Sequence, residues 1–344
     1  FNEDIAWGVT NVGQDVTDWY QLEWVDKAKT VYRYDDAARK IEKRVEEIKV
    51  KGGKTVIDTL RWTHYGPIMY ESNDSEYKEL AMRWVSLEAP NPDEFSTFLR
   101  LNQSKNYDDY SAALKIYEVP AQNFVFASKE GDIALKVNGK LPIKSYEQGR
   151  FILDGSKSQN EWQGFIPMEE VPQVKNPSRG FVASANQRST DDTYPYYYLS
   201  ERFDAYRGRI INRTLEKMDS ITVQDMMNLQ TSSKSLFAEE SLPLMLEFLD
   251  RSKLSSVQIG LFKIMEDWDY YFKKDEVAPV LFTEWADELY KLLWDEVRTH
   301  QEEMEVLSVR DWKTVEMMEK NTLNVFWDKP QTPNRETPTD IVTE

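Results

Sequence analysis

The spacing of apolar residues changes near residue 205, and this change limits the possible folds more than any other feature of the chain. Before residue 205, short β-branched or alternating segments are typical of strands, as in residues 54–62 after the Gly52-Gly53 turn. After residue 205, apolar residues recur at steps of three and four, which is the period of an amphipathic helix. The sequence therefore predicts an α+β protein, with a sheet-rich part over residues 1–205 and a helical region over residues 206–344.

Two segments of the sheet-rich part carry specific predictions. Residues 124–128 and 132–137 flank Lys129-Glu130-Gly131, which predicts a β-hairpin whose glycine supplies the positive φ of the turn. Residues 38–48 are ambiguous, because their apolar side chains also fit helical spacing. We expect a strand there.

Helices are expected in both parts of the chain. Residues 91–117 contain two of them, with Asp93 or Ser96 as the N-cap of the first and Asp108-Asp109 near the start of the second. In the helical region, residues 222–225 have the character of a capping box, with an Asp reaching back to a Thr. A wide apolar stripe further on predicts a core-facing helix, and its members are Leu281, Phe282, Trp285, Leu289, Leu292 and Leu293.

Charge and cysteine content bear on the possible classes of function. The chain has 344 residues and a formal net charge of −17, which repels nucleic-acid phosphates and anionic lipid surfaces. The sequence has no run of about 18 apolar residues, so no segment is predicted to span a bilayer. It has no cysteine, which excludes disulfides, thiolate nucleophiles and cysteine-based zinc sites.

Common catalytic patterns are missing or nonspecific in this sequence. There is no Gly-x-Ser-x-Gly motif, and the two histidines, His64 and His300, are too far apart to form a metal-ligand pair by spacing. A Ser-His-Asp triad is possible only around His64. A glycosidase-like pair of carboxylates also stays open, but 60 acidic residues make chance pairs inevitable.

A series of short motifs follows in order along the chain. The motifs are Trp7-Gly8-Val9-Thr10-Asn11 with Asp15 and Asp18, His64-Tyr65-Gly66-Pro67-Ile68, Asn123-Phe124, Gly131-Asp132-Ile133, Gly139-Lys140-Leu141-Pro142, Trp162-Gln163-Gly164-Phe165-Ile166-Pro167, Asn176-Pro177, Ala185-Asn186, Tyr206-Arg207-Gly208-Arg209-Ile210, Trp268-Asp269-Tyr270 and Ala278-Pro279. Each motif alone is weak. The ordered set resembles the penicillin acylase family, and the resemblance covers essentially the whole chain.

The resemblance implies a fragment of the catalytic β chain, with residues 1–205 in the αββα sandwich of an N-terminal nucleophile hydrolase. In this family the α-amino-terminal Ser of a processed chain attacks the amide, and its own amine, with an unperturbed pKa of about 7.7–8.0, acts as the base. This chain begins with Phe1, so we expect an internal piece that is inactive alone. The parent protein is expected to hydrolyse the side-chain amide of β-lactams or a related N-acyl substrate such as an acyl homoserine lactone.

The resemblance also implies roles for individual residues. The backbone N–H of Asn11 and the side-chain amide of Asn186 match the donors that stabilise the oxyanion, and Arg207 matches the arginine that orients the Asn and the substrate. Val9 and Phe98 match positions that bind the substrate, Phe98 in the acyl pocket. The residues alone also allow simpler interpretations: Asn186 as the cap of a turn, Arg207 as a surface salt bridge and Phe98 as a core side chain.

Calcium is a further expectation from the resemblance. Asp15, Thr17 and Asp18 lie where some family members bind Ca²⁺, a hard cation that requires oxygen ligands. The sequence departs from the family at Tyr198, which replaces a third acidic ligand. Asp191-Asp192 is the candidate substitute, and another ligand belongs to a different chain. The alternative is a solvated turn, and no organic cofactor is expected.

Expected partners follow from the same resemblance. They are a small-molecule N-acyl substrate and the rest of the processed precursor, namely the α chain and the missing β segments, but no nucleic acid and no membrane. The protein is expected to be secreted or periplasmic. The competing interpretation is a non-catalytic module whose 11 Trp and 18 Tyr residues bind sugars or peptides.

Overall fold

The computed structural model describes residues 1–69, 79–88, 91–200, 203–304 and 308–344. Within them the chain forms two compact units, Phe1–Phe203 and Asp204–Glu344. The strands lie in the first unit and most of the helices in the second. The protein is therefore α+β, as the change in apolar spacing predicts.

The described part of the first unit contains two four-stranded sheets, two β-ribbons and two α-helices. Its elements are β1 (Ile5–Asn11), β2 (Thr17–Gln21), β3 (Val31–Tyr34), β4 (Ala37–Lys40), β5 (Glu42–Ile48), β6 (Val56–Trp62), β7 (Ile68–Met69), β8 (Leu80–Trp84), α1 (Ser96–Gln103), α2 (Tyr107–Leu114), β9 (Gln122–Ser128), β10 (Ile133–Asn138), β11 (Leu153–Asp154) and β12 (Gln173–Lys175). The first sheet has the order β1-β9-β10-β12 and is antiparallel, and the second has the order β11-β2-β8-β7. The ribbons are β3-β4 and β5-β6.

One face of the first sheet packs against α1 and α2. Ile5 of β1 and Phe124 and Phe126 of β9 are buried together with Leu101 of α1 and Tyr110 of α2. Each fully buried side chain of this size stabilises the fold by roughly 1.5–3 kcal/mol. The packing fixes β1, the strand that ends at Asn11.

The second unit is helical. Its described helices are α3 (Tyr206–Leu215), α4 (Val223–Gln230), α5 (Leu236–Phe248), α6 (Ser256–Glu266), α7 (Ala278–Leu293), α8 (Asp295–Met304), α9 (Asp311–Lys320) and α10 (Pro338–Thr343). Its core is formed by Leu242 of α5, Phe282 and Leu289 of α7, and Met317 and Met318 of α9. The apolar stripe predicted for residues 281–293 thus lies in, or packs against, this core.

Several local predictions are confirmed. Strands β9 and β10 pair as a hairpin, and Gly131 in the turn has a φ of +96°. Residues 38–48 contribute to β4 and β5, which pair with β3 and β6, so the strand expectation holds over the helical alternative. The capping box of Thr222 and Asp225 is present at the start of α4.

The expected N-cap of α1 is wrong. Phe95 occupies that position and offers no side-chain cap, so neither Asp93 nor Ser96 is the N-cap. The reason is a turn before the helix, in which the N–H of Ser96 donates to the carbonyl of Asp93 at 2.9 Å. Backbone carbonyls therefore accept the donors that a cap would otherwise satisfy. For α2, Asn106 is the N-cap, and Asp108-Asp109 lies in the first turn as expected.

Candidate active site

Asn11 ends β1 with its backbone directed away from the neighbouring strand. Asn11 is opposite Gln122 of β9, and the next residue, Val12, donates its N–H to the carbonyl of Ala121 at 3.3 Å. Hydrogen-bonded and non-hydrogen-bonded pairs alternate in an antiparallel ladder. The N–H of Asn11 therefore points to the side of β1 opposite β9, while its carbonyl also accepts a hydrogen bond from Asn123 Nδ2 of β9 at 3.2 Å.

Asn186 contacts Asn11 at this position. Its side-chain Nδ2 donates to the carbonyl of Asn11 at 3.0 Å, although 175 residues separate the two. The backbone of Asn186 has a φ of +69°, a left-handed conformation that costs energy in a non-glycine residue and in which Asn is enriched. Such local strain is a feature of functional sites.

Hydroxyl groups hold the Asn186 segment against β1 and β9. The Ser184 and Thr10 hydroxyl oxygens lie 2.5 Å apart, and the N–H of Asn186 donates to Ser184 Oγ at 3.4 Å. Three residues beyond Asn186, Ser189 Oγ donates to Asn123 Oδ1 at 2.9 Å. These bonds connect residues 184–189 to the ends of two sheet strands, so the Asn186 amide is held on a rigid support.

Val9 and Phe98 are connected through Trp7. Successive side chains of a strand alternate between faces, so Trp7, Val9 and Asn11 share one face of β1. The ring of Trp7 lies 6.1 Å from that of Phe98 in α1, and Val9 is 44% exposed. This face therefore offers an apolar surface that leads from Asn11 towards Phe98, which also packs against the core as the simpler interpretation requires.

Arg207 lies in the first turn of α3, in the second unit, and its side chain is exposed. A cation in the first turn of a helix is disfavoured by the helix dipole, so the charge of Arg207 does not stabilise α3 through the dipole. The convergence of Arg207 with Asn11 and Asn186 stays a prediction.

The residues expected to bind calcium surround a lysine. Lys144 Nζ donates to Asp15 Oδ2 at 2.6 Å and to the backbone oxygen of Thr17 at 3.1 Å, and it lies 3.1 Å from Asp18 Oδ2. The indole of Trp162 also donates to Asp18. Burial raises the pKa of Asp18, and the charge of Lys144 opposes this rise. Among the described residues, no group of three or more His, Cys, Asp or Glu side chains is placed to hold a metal ion.

His64 does not support a Ser-His-Asp triad. Its Nδ1 lies 2.8 Å from the hydroxyl of Tyr32 and its Nε2 lies 3.1 Å from Glu161 Oε1. Each ring nitrogen of His64 therefore already has a side-chain neighbour, and neither neighbour is a serine or an aspartate.

The described helices include none long and apolar enough to cross a membrane.

Comparison with known proteins decides the family. The family model for penicillin amidase matches residues 1–344 of this chain. The chain belongs to the penicillin amidase family. The relatives that the chain matches include a penicillin acylase and an acyl-homoserine lactone acylase by name, which identifies the family as one of amidohydrolases.

Individual relatives are distant. The penicillin acylase 2 proenzyme of Pseudomonas sp. strain SE83 is 25% identical and covers 65% of this chain and 29% of its own length. The acyl-homoserine lactone acylase QuiP of Pseudomonas aeruginosa is 25% identical and covers 69% of this chain and 29% of its own length. The chain thus spans less than a third of these relatives.

A solved structure shares the fold. The thermostable penicillin G acylase from Alcaligenes faecalis superimposes with a TM-score of 0.72 at 22% identity, over 97% of this chain and 58% of that chain. The chain therefore shares the fold of a penicillin G acylase, as the motifs of the sequence predict.

Several residues at these sites could not be predicted from the sequence. Thr10 and Ser184 lie inside or beside the quoted motifs, but their hydroxyl contact joins residues 174 positions apart. Lys144, Gln148 and Gly149 lie outside every motif. A glycine next to a charged segment is a weak turn signal. Only the structure shows that Gly149 lies close to the side chains of Asp15 and Lys144.

Proposed function

We propose that these residues form the oxyanion-stabilising part of an amidohydrolase that cleaves N-acyl amides, either the side-chain amide of β-lactams or an acyl homoserine lactone. The nucleophile is the α-amino-terminal Ser of a processed chain, which lies outside this sequence. The observation that supports the proposal best is the 3.0 Å hydrogen bond from the Asn186 amide to the Asn11 carbonyl. The two groups that we assign as donors belong to the two residues that this bond joins.

The proposed chemistry needs donors aimed at a developing negative charge. The Asn186 amide carries two protons. One is used by the carbonyl of Asn11, which orients the group, and the other is the donor that we assign to the oxyanion. The backbone N–H of Asn11, on the same side of β1, is the second donor. Arg207 is assigned to orient the Asn186 amide and the substrate.

The acyl group would lie along β1. A substrate carbonyl at Asn11 places its acyl chain over Val9, on the face that continues to Trp7. Aromatic rings are favourable neighbours for a phenylacetyl group, because offset or tilted ring pairs add to the gain from apolar burial. Phe98 is the ring that we assign to this end of the pocket.

The proposal also includes the partner chains of this protein and its cellular location. The α chain and the other β segments complete the active site, and the protein works outside the cytoplasm. The 344-residue chain alone is expected to show no turnover of chromogenic N-acyl amides, since the proposed nucleophile is not part of it.

The full-length protein provides the test. We expect it to hydrolyse a phenylacetyl amide or an acyl homoserine lactone, and Phe98→Ala should raise KM for the phenylacetyl substrate more than for a short aliphatic one. Phe95→Ala is the matched control, because Phe95 is a neighbouring aromatic that is 84% exposed. A correctly processed protein that hydrolyses none of these amides would show that the proposal is wrong.

A further inference from the structure

The loop between β1 and β2 is held by a buried ammonium group. Lys144 Nζ lies 2.6 Å from Asp15 Oδ2, 3.1 Å from Asp18 Oδ2 and 3.1 Å from the backbone oxygen of Thr17. The lysine side chain is fully buried. Three oxygens match the three N–H donors of an ammonium group. These are the residues at which the sequence predicts calcium.

A calcium ion does not fit beside this lysine. Ca²⁺ binds oxygen ligands at about 2.3–2.6 Å, so an ion held by the same three oxygens would lie almost where Nζ lies. The two cations would also repel each other. Binding of the ion therefore requires Lys144 to leave a fully buried position.

Other oxygens proposed as calcium ligands have different roles. Asp191 accepts hydrogen bonds from the N–H and the hydroxyl of Thr193, and Asp192 lies 3.3 Å from Arg188. Tyr198 is buried in an apolar cluster. Since calcium takes 6–8 oxygen ligands, an ion at Asp15, Thr17 and Asp18 would need water molecules for the rest of its shell.

The residues around Lys144 leave space for its side chain and contact the groups that it binds. A Cβ on Gly149 would lie 2.1 Å from Asp15 Oδ2 and 3.3 Å from Lys144 Nζ, so only a glycine leaves room for this pair. Gln148 Nε2 donates to Asp18 Oδ2 at 3.2 Å, and the ring of Trp162 lies 5.7 Å from Nζ. A cation near an aromatic face gains electrostatic stabilisation.

We propose that the Lys144 ammonium takes the place of a divalent cation at Asp15 and Asp18, so that this protein fixes the loop after Asn11 without calcium. The N–H of Asp15 donates to the carbonyl of Leu199 at 2.9 Å. The loop that the ammonium fixes is thus also bonded, through the backbone of Asp15, to the segment that follows Asn186. The inference concerns folding and does not depend on the proposed function.

Thermal unfolding of the full-length protein tests the inference. The wild-type Tm should be the same in EDTA and in millimolar CaCl₂. Lys144→Ala removes the charge and opens space, so its Tm in EDTA should fall by on the order of 5–10 °C, and CaCl₂ should restore much of the loss while MgCl₂ restores less. Lys144→Met removes the charge but fills the space, so its Tm should fall without recovery in CaCl₂.

Lys136→Ala is the matched control. Lys136 is also a buried lysine of the first unit, but it lies on β10 away from Asp15 and Asp18, so calcium should not change the Tm of this variant. A wild-type Tm that drops in EDTA and recovers in CaCl₂ would overturn the inference without any variant. So would a Lys144→Ala protein whose loss of stability calcium does not reverse, or one as stable as the wild type in EDTA.

Discussion

The imidazole of His64 contacts Tyr32 and Glu161, and its burial lowers its pKa from the ordinary 6.5. Arg39 lowers the pKa further, while Glu161 opposes the shift. The folded protein therefore binds a proton at His64 more weakly than the unfolded chain does. Protonation favours the unfolded chain, so the contribution of His64 to stability is present above about pH 6.5 and is lost as pH falls from there through the lower pKa of the folded state.

Substitution of His64 should remove this pH dependence. We expect the free energy of unfolding of His64→Gln to fall less steeply than that of the wild type between about pH 7.5 and 5.5, by at most about 1.4 kcal/mol per pH unit. Urea unfolding at several pH values measures the slope. An unchanged slope in His64→Gln would show that another group titrates.

Single residues also show what a sequence can predict. Motif order pointed to Asn11 and Asn186, and the structure joins them by a hydrogen bond. Lys144 could not be predicted, because it lies outside every motif and 129 residues from Asp15. The function of a lysine depends on whether it is buried and which charges surround it, and neither is encoded in its neighbours along the chain.

At the scale of elements, two glycines allow the energetic cost of a left-handed backbone to be distinguished from the cost of steric crowding. Gly149 has a φ of +101° and Gly131 has a φ of +96°, but a Cβ on Gly131 would meet nothing within 4 Å, whereas one on Gly149 would lie 2.1 Å from Asp15 Oδ2. Left-handed strain alone costs roughly 1–3 kcal/mol. We expect Gly149→Ala to be destabilised clearly more than Gly131→Ala, because it must also displace the Asp15 carboxylate.

Denaturant unfolding of the two variants measures the difference. Equal losses in Gly149→Ala and Gly131→Ala would mean that the Asp15 carboxylate moves without cost, and that the close approach at Gly149 has no structural role.

Elements defined by local chemistry were predictable from the sequence. The capping box at Thr222 and the turn at Gly131 have signals within four residues of the feature itself. The start of α1 was not predictable in this way, because a preceding backbone turn satisfies the donors and leaves Asp93 and Ser96 without a capping role. The two short strands β7 and β11 have two residues each and exist only through pairing with β8 and β2, so they have no local signal.

At the scale of the whole molecule, the edge of the first sheet matters. Strand β1 ends the order of this sheet in the described part of the chain, and Val9, on its face, is exposed. An accessible strand edge pairs readily with another chain. We therefore expect the isolated 344-residue chain to self-associate despite its net charge of −17. Sedimentation at low protein concentration measures this, and a clean monomer with one cooperative melt would contradict the expectation.

The central claim is that Asn186 and Asn11 stabilise the oxyanion of amide hydrolysis, and kcat of the Asn186→Ala variant of the full-length protein tests it most directly. Loss of one such donor should lower kcat for an N-acyl amide about 10²–10³-fold with KM nearly unchanged, and Tm should fall modestly, because alanine adopts the left-handed conformation of Asn186 less readily than asparagine. Asn228→Ala is the matched control, because Asn228 is exposed on α4, and it should retain wild-type kcat. A kcat for Asn186→Ala within about twofold of the wild type would contradict this account of the active site.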